Sequence, residues 1–221
     1  FHRVFRQALE PEVPPFLDYV YNLYRHLPHT VSKVFNAPAQ TVAEHSMQDG
    51  GLGAPSGPEY QRTLLHATSS FKTLAECPVL IVLLHQLYPA HANNPQWNYT
   101  RFMPVAISAL TLQAPPHASS VHRSSLRELI TCQVKTLSFI AFFARAHVNE
   151  MRAKEDEIAR GVMQLLRNCP PEASSVRREL LVAIRHIWGT ELRRGFIPHL
   201  NTLLEDNTLI GTGRTTYETL R

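Results

Sequence analysis

SLRELITCQVKTLSFIAFFA, residues 125–144, carries apolar side chains at Leu126, Ile130, Val134, Leu137, Ile140 and Ala144. Intervals of three and four put these side chains on one face of an α-helix. Ser125, with Glu128 three residues later, has the spacing of a capping box. A helix with one apolar stripe must bury it, so this stretch predicts a long helix packed into a larger core.

The same period runs downstream. Ile158, Val162, Leu165 and Leu166 mark a helix that stops at Asn168-Cys169-Pro170-Pro171. Val176, Leu180, Ile184 and Ile187 mark another, and a further helix is predicted over about 191–205. Lys154-Glu155-Asp156-Glu157 concentrates acidic side chains at a helix start, where they complement the dipole. Thr215 and Glu218 repeat the capping-box spacing near the end.

Upstream, Pro11, Pro14 and Pro15 precede the helical series Phe16, Leu17, Val20, Leu23, Tyr24 and Leu27. Pro28 is expected to end or kink that helix before a short run to Phe35. Further helices are predicted over about 59–76, from Pro78 to about Tyr88, and over about 100–113. The organisation expected is a helical repeat segment at 1–36, a flexible Gly/Pro-rich loop at 37–58, and a second helical segment at 59–113. A loop at 114–122 and helical repeats over 123–221, truncated at the C-terminal end, complete it.

No alternating β pattern interrupts these helices. Their pairing at roughly 40–47 residues predicts an all-α, HEAT-type α-solenoid of stacked antiparallel helix pairs. With 221 residues and 44% hydrophobic content the chain is long and apolar enough for a real core. Phe1 at the start and a helix barely begun at the end make both termini read as cuts, so an excerpt is expected. The longest apolar runs, Val79 to Leu84 and Phe139 to Ala144, are far shorter than a membrane span, and no membrane partner is expected. Cys77, Cys132 and Cys169 are odd in number and widely spaced, which fits a reducing compartment rather than a disulfide framework.

Catalytic and cofactor patterns are weak. His26 and His29 are the closest histidine pair able to share a face, but Pro28 separates them and no cysteine or carboxylate follows at a ligand interval. Ser56 in Gly53-Ala54-Pro55-Ser56-Gly57 lacks the glycine and strand of a nucleophile elbow. Gly211-Thr212-Gly213-Arg214-Thr215-Thr216 lacks the lysine and strand of a phosphate loop and reads as a turn before a helix. No enzyme, metal, cofactor or small-molecule substrate is expected.

The charge is informative. The net charge is +4, and residues 123–194 hold 13 basic against 8 acidic side chains, whereas residues 1–122 hold 7 of each. Arg177, Arg178, Arg185, Arg193 and Arg194 are the candidate protein-binding residues, a basic ridge for an acidic peptide if their helices pack side by side. A helical nucleic-acid-binding module using 123–194 is the alternative. Nucleic acid is the less expected partner, because no dense basic stripe with interleaved aromatics is present.

Several blocks carry a resemblance: Gln133-Val134-Lys135-Thr136-Leu137-Ser138-Phe139, Gly161 to Pro170 (GVMQLLRNCP), Arg178-Glu179-Leu180-Leu181-Val182-Ala183, and Phe196-Ile197-Pro198. Leu209-Ile210-Gly211-Thr212-Gly213 and Glu218-Thr219-Leu220-Arg221 continue it, and Phe71 to Pro78 (FKTLAECP) extends it upstream. About two thirds of the chain therefore resembles the transformation/transcription domain-associated protein (TRRAP) family, pseudokinase relatives of the phosphatidylinositol 3-kinase-like kinases. The resemblance implies a fragment of the family's N-terminal helical solenoid, a nuclear location, and a non-catalytic scaffold role. The scaffold would serve a coactivator subunit of histone acetyltransferase complexes of the SAGA type and related ones. The partners it implies are other subunits of those complexes and acidic activation domains.

Overall fold

The computed structural model describes residues 2–35, 58–92, 94, 96–116, 118, 122–170 and 173–204, and among these every regular element is helical. In chain order they are α1 (His2–Leu9), a 3-10 turn (Glu10–Glu12), α2 (Val13–Phe35), α3 (Pro58–Leu87) and α4 (Pro89–Ala92). A π-helical turn (Gln96–Phe102) then leads into α5 (Met103–Leu110), followed by α6 (Arg123–Ala146) and α7 (Val148–Met151). The chain continues through a 3-10 turn (Arg152–Lys154), α8 (Glu155–Asn168), α9 (Ser174–Trp188), a 3-10 run (Glu191–His199) and α10 (Leu200–Leu204).

Two layers form. α3, α6 and α9 pack side by side in one, while α2, α5, α8 and the 3-10 run pack successively in the other. Lys135 on α6 meets Glu179 on α9 at 3.5 Å, and ten residues further on Arg145 meets His186 at 2.5 Å. Rising register on both helices means that they run parallel. Each helix of the first layer is followed by one of the second, so the chain is a HEAT-type α-solenoid. Its first-layer helices begin at Pro58, Arg123 and Ser174. That spacing is wider than the expected 40–47 residues because α3 has 30 residues and α6 has 24.

Most of the stripe residues read from sequence are core, while Phe16, Leu23 and Leu126 are half-buried against it. Ile130, Val134, Leu137, Ile140 and Ala144 of α6 are buried, as are Ile158, Val162, Leu165 and Leu166 of α8 and Val176, Leu180, Ile184 and Ile187 of α9. Leu17, Val20, Tyr24 and Leu27 of α2 point into the same cluster. Where α2 meets α6, the Tyr24 hydroxyl lies 2.6 Å from Thr136 Oγ1, and Thr136 in turn donates to the Cys132 carbonyl at 2.9 Å. Thr136 has one proton, so Tyr24 is the donor in the first contact, and the buried polar pair is satisfied. By length and composition Ser69–Leu87 and Arg123–Ala146 would each suffice to cross a membrane. In α6 that apolarity fills the core, while in α3 part of it remains on the surface.

Four boundaries differ from expectation. Pro28 and Pro78 lie inside the continuous helices α2 and α3 instead of ending or starting them. An internal proline costs about 3 kcal/mol, but Leu27 and Val31 beside Pro28, and Leu74 and Ile81 beside Pro78, are buried and hold both sides of each helix in place. α6 begins at Arg123, so Ser125 sits in its first turn and is not the cap. The final helix is wound as a 3-10 run through Gly195 and Pro198 before one α turn. Residues 36–57 and 205–221 lie outside the described residues, and with them Ser56, the Gly211–Thr216 turn, the Thr215/Glu218 pair and nearly all of the 37–58 loop.

The seams between successive pairs share a construction. The Gln133 side chain of α6, buried, donates from Nε2 to the Ala109 and Leu112 carbonyls at 2.8 and 2.9 Å, capping the end of α5. The Arg177 side chain of α9 donates from Nη1 to the Cys169 carbonyl at 3.0 Å and reaches the Leu166 carbonyl at 3.5 Å, capping the end of α8. Both supply side-chain donors to carbonyls at or just beyond a helix end. Glycines then set the spacing of the second layer. A Cβ at Gly161 would lie 3.0 Å from Leu110 Cβ, and one at Gly195 would lie 2.6 Å from the Glu155 carbonyl oxygen.

Candidate functional site

Arg177 leaves the expected ridge. It is 5% exposed and spends its guanidinium on the end of α8, so it is a structural cap and not a docking residue. The sequence places it two turns before Ile184 on the apolar side of α9; a side chain beside Val176 and Leu180 had a burial signal that its charge obscured. The other four candidates are exposed. Arg178 and Arg185 share the outer stripe of α9, seven residues apart and therefore two turns along one face. Arg193 and Arg194 stand on the 3-10 run, within 3.8 and 3.4 Å of Glu191.

What sequence reasoning missed lies between the charges. On the outer face of α3, Val79, Leu80, Leu83 and Leu87 are exposed, with Val79 at 58%. Phe142 on α6 and Val182 on α9 are exposed as well, at 38% and 45%. The His85 ring packs against Phe143 with centroids 5.3 Å apart, which sets Leu83 and Phe142 at the same level of neighbouring helices. The contacts Lys135–Glu179 and Arg145–His186 bracket Phe142 and Val182 in the same way. Exposed apolar side chains thus stand at similar heights on the outer faces of α3, α6 and α9, a band in which Arg178 and Arg185 flank Val182 on the last helix. The signal was present in the run Val79 to Leu84, whose six consecutive apolar residues exceed what one buried face of a helix takes.

The three cysteines are held as thiols. Burial pushes the Cys132 thiol up to about 12, with the nearby Cys77 adding to the shift, and pushes Cys77 itself up to about 11. Cys169 is raised too, against the opposing pull of the Arg177 charge. Thiols held protonated are poor nucleophiles. His26 and His29 are exposed on α2, His26 Nδ1 lying 2.7 Å from the Asn22 carbonyl, and no group of three or more metal-ligating side chains occurs among the described residues.

Comparison with known proteins agrees with the architecture. Residues 125–221 match a family model described as the Tra1 HEAT repeat central region, which refines the expected placement in the N-terminal helical solenoid. A transformation/transcription domain-associated protein of Danio rerio is 35% identical over 238 residues, covering 100% of this chain. A probable transcription-associated protein 1 of Dictyostelium discoideum is 39% identical over 158 residues, covering 72% of this chain and 3% of its own length. The SAGA complex/NuA4 acetyltransferase complex subunit Tra1 of Schizosaccharomyces pombe is 32% identical over 234 residues, covering 95% of this chain. The chain spans about 6% of the length of the Danio and Schizosaccharomyces relatives. No solved structure matches it.

Proposed function

Since this chain belongs to the transformation/transcription domain-associated (TRRAP/Tra1) family, we propose that it is a non-catalytic scaffold segment of a nuclear transcription coactivator subunit of histone acetyltransferase complexes. The segment holds part of the HEAT array in shape and offers its first-layer outer face to acidic, amphipathic activation segments. The observation that carries this reading is the exposed band Leu83–Phe142–Val182 beside Arg178 and Arg185. An amphipathic helix that orders on contact presents apolar residues every three or four positions with acidic residues between them, which is the complement of that band. The name of the Schizosaccharomyces relative places that protein in the SAGA and NuA4 complexes, and membership of such complexes is the partner class carried over to the parent of this segment. Arg193 and Arg194 extend the basic surface on the neighbouring run.

The test is fluorescence anisotropy of the 221-residue chain with an acidic activation-domain peptide, beside Phe142→Ser/Val182→Ser and Arg178→Ala/Arg185→Ala variants. Loss of at least about tenfold in affinity from the apolar pair, and a smaller loss from the arginine pair, supports the docking face. If duplex DNA binds more tightly than the peptide and its affinity falls steeply with salt, the nucleic-acid module replaces this reading.

A further inference from the structure

At the other end of the first layer, where α6 and α9 begin, their first turns open onto a cleft of about 750 Å³. Arg123 and Arg127, one turn apart on α6, line it. Among the described residues neither arginine joins an ion pair; the nearby Glu179 of α9 is engaged by Lys135. Ser124, Ser174 and Ser175 add three hydroxyl groups from the two helices, and Ile130 and Val176 supply an apolar floor. Two guanidinium groups carry up to ten N–H donors and two positive charges. A carboxylate offers one negative charge and two oxygens, so it would leave this donor set underused. A phosphoryl group, with nearly two negative charges and three acceptor oxygens, matches it in both charge and number. The first turns of α6 and α9 add a favourable field for the same anion.

We propose that this cleft binds a phosphorylated serine or threonine of a partner peptide, with Arg123 and Arg127 holding the phosphoryl oxygens. The floor of Ile130 and Val176 receives an apolar side chain next to the phosphorylated residue, which separates a peptide site from a free-anion site. The cleft lies at the N-terminal ends of α6 and α9, whereas the Leu83–Phe142–Val182 band lies toward their C-terminal ends. Its function is therefore independent of the docking face.

The probe is a fluorescein-labelled peptide pool with a fixed phosphoserine-leucine pair and degenerate flanks, titrated with the 221-residue chain. The phosphorylated pool should bind at least about tenfold more tightly than the unphosphorylated pool or one with glutamate in place of phosphoserine. Arg123→Ala/Arg127→Ala should abolish that preference, while Arg185→Ala, which weakens the docking face, should leave it intact. Both arginines are exposed, so circular dichroism should show the double variant folded. Equal binding of all three pools, no binding of the phosphorylated pool, or full retention by the folded double variant would each overturn the proposal. So would inorganic phosphate displacing the pool at concentrations as low as the phosphopeptide itself, which would make the cleft a site for free anions.

Discussion

Where α5 meets α6, a neutral amide from Gln133 closes the end of the preceding helix; where α8 meets α9, a guanidinium from Arg177 does the same work. In both places a glycine on the next second-layer element, Gly161 on α8 or Gly195 on the 3-10 run, lets that layer close up. The two seams are built alike from different residues, which is why the helix pairs show so little self-similarity in sequence. A solenoid needs each seam to satisfy the carbonyls at a helix end and to set one interlayer distance, and it leaves the choice of side chain open. The seams differ in what yields under strain. At Gly161 the neighbour is the Leu110 side chain, whereas at Gly195 it is the backbone of Glu155 at the start of α8.

That difference predicts the largest effect. In Gly195→Ala the new methyl group would sit 2.6 Å from a carbonyl oxygen and 2.8 Å from its carbon, neither of which can rotate away. A loss of about 3 kcal/mol is expected. In Gly161→Ala the closest atoms are Leu110 Cβ at 3.0 Å and Cδ1 at 3.2 Å. Overpacking there is partly offset by alanine's helix preference, worth about 1 kcal/mol over glycine, and the net loss should be about 1 kcal/mol or less. Urea denaturation of both variants reads the contrast, and equal costs would mean that the two seams share one tolerance.

The caps come next. Arg177→Met keeps an apolar stem and removes the charge-assisted bond to Cys169 together with the longer, weaker contact to Leu166, while Gln133→Met removes two neutral bonds. Each should cost about 2 kcal/mol by its own route, one strong bond against two ordinary ones. A difference of more than about 1 kcal/mol between them, measured by thermal or urea unfolding, would show that the two caps are not equivalent. A small cost for Arg177→Met in particular would mean that burying the guanidinium nearly cancels what its bonds return.

How much of this was legible depended on whether a local pattern carried it. The stripes of α6, α8 and α9 were readable because amphipathic helices must repeat their apolar residues; all the side chains that spacing selected there are buried except the half-buried Leu126, while α6 also buries Leu129, Phe139 and Phe143, which it did not select. The prolines misled: Pro28 reads locally as an end or a kink and Pro78 as a start, and only packing on both sides of each, invisible in sequence, carries the helix through. Arg177 misled for a related reason. A charge next to Arg178 reads as solvated surface, and nothing local shows that the end of α8 lies beneath it with two carbonyls to satisfy. The exposed band was hidden because Phe142 and Val182 are far apart in sequence and come to the same level only through the parallel stacking of α6 and α9.

The smallest expected effect also separates the seams, through pH. Cys77 and Cys132 flank the junction of α2, α3 and α6 with thiols raised from 9.0 to about 11 and about 12 by burial, while Cys169 lies at the second seam, where Arg177 opposes the rise. A raised folded-state pKa means that the folded chain holds its protons more tightly. The stabilisation is therefore fully present below the unfolded value near 9 and is lost as pH rises from there toward 11 and 12. Between pH 7 and pH 9 the three thiols together should cost about 1 kcal/mol, steepening above pH 9. Tyr24, also raised by burial, acts in the same direction from its ordinary value of 10.0, so the slope belongs to the thiols only below that pH. Urea midpoints at pH 7, 8, 9 and 9.5 should shift less for Cys132→Ala than for the parent chain, whereas Cys169→Ala should follow the parent more closely. If Cys169→Ala flattens the profile more than Cys132→Ala does, the Arg177 charge is not offsetting burial at the second seam, and the electrostatic half of the comparison between the seams fails.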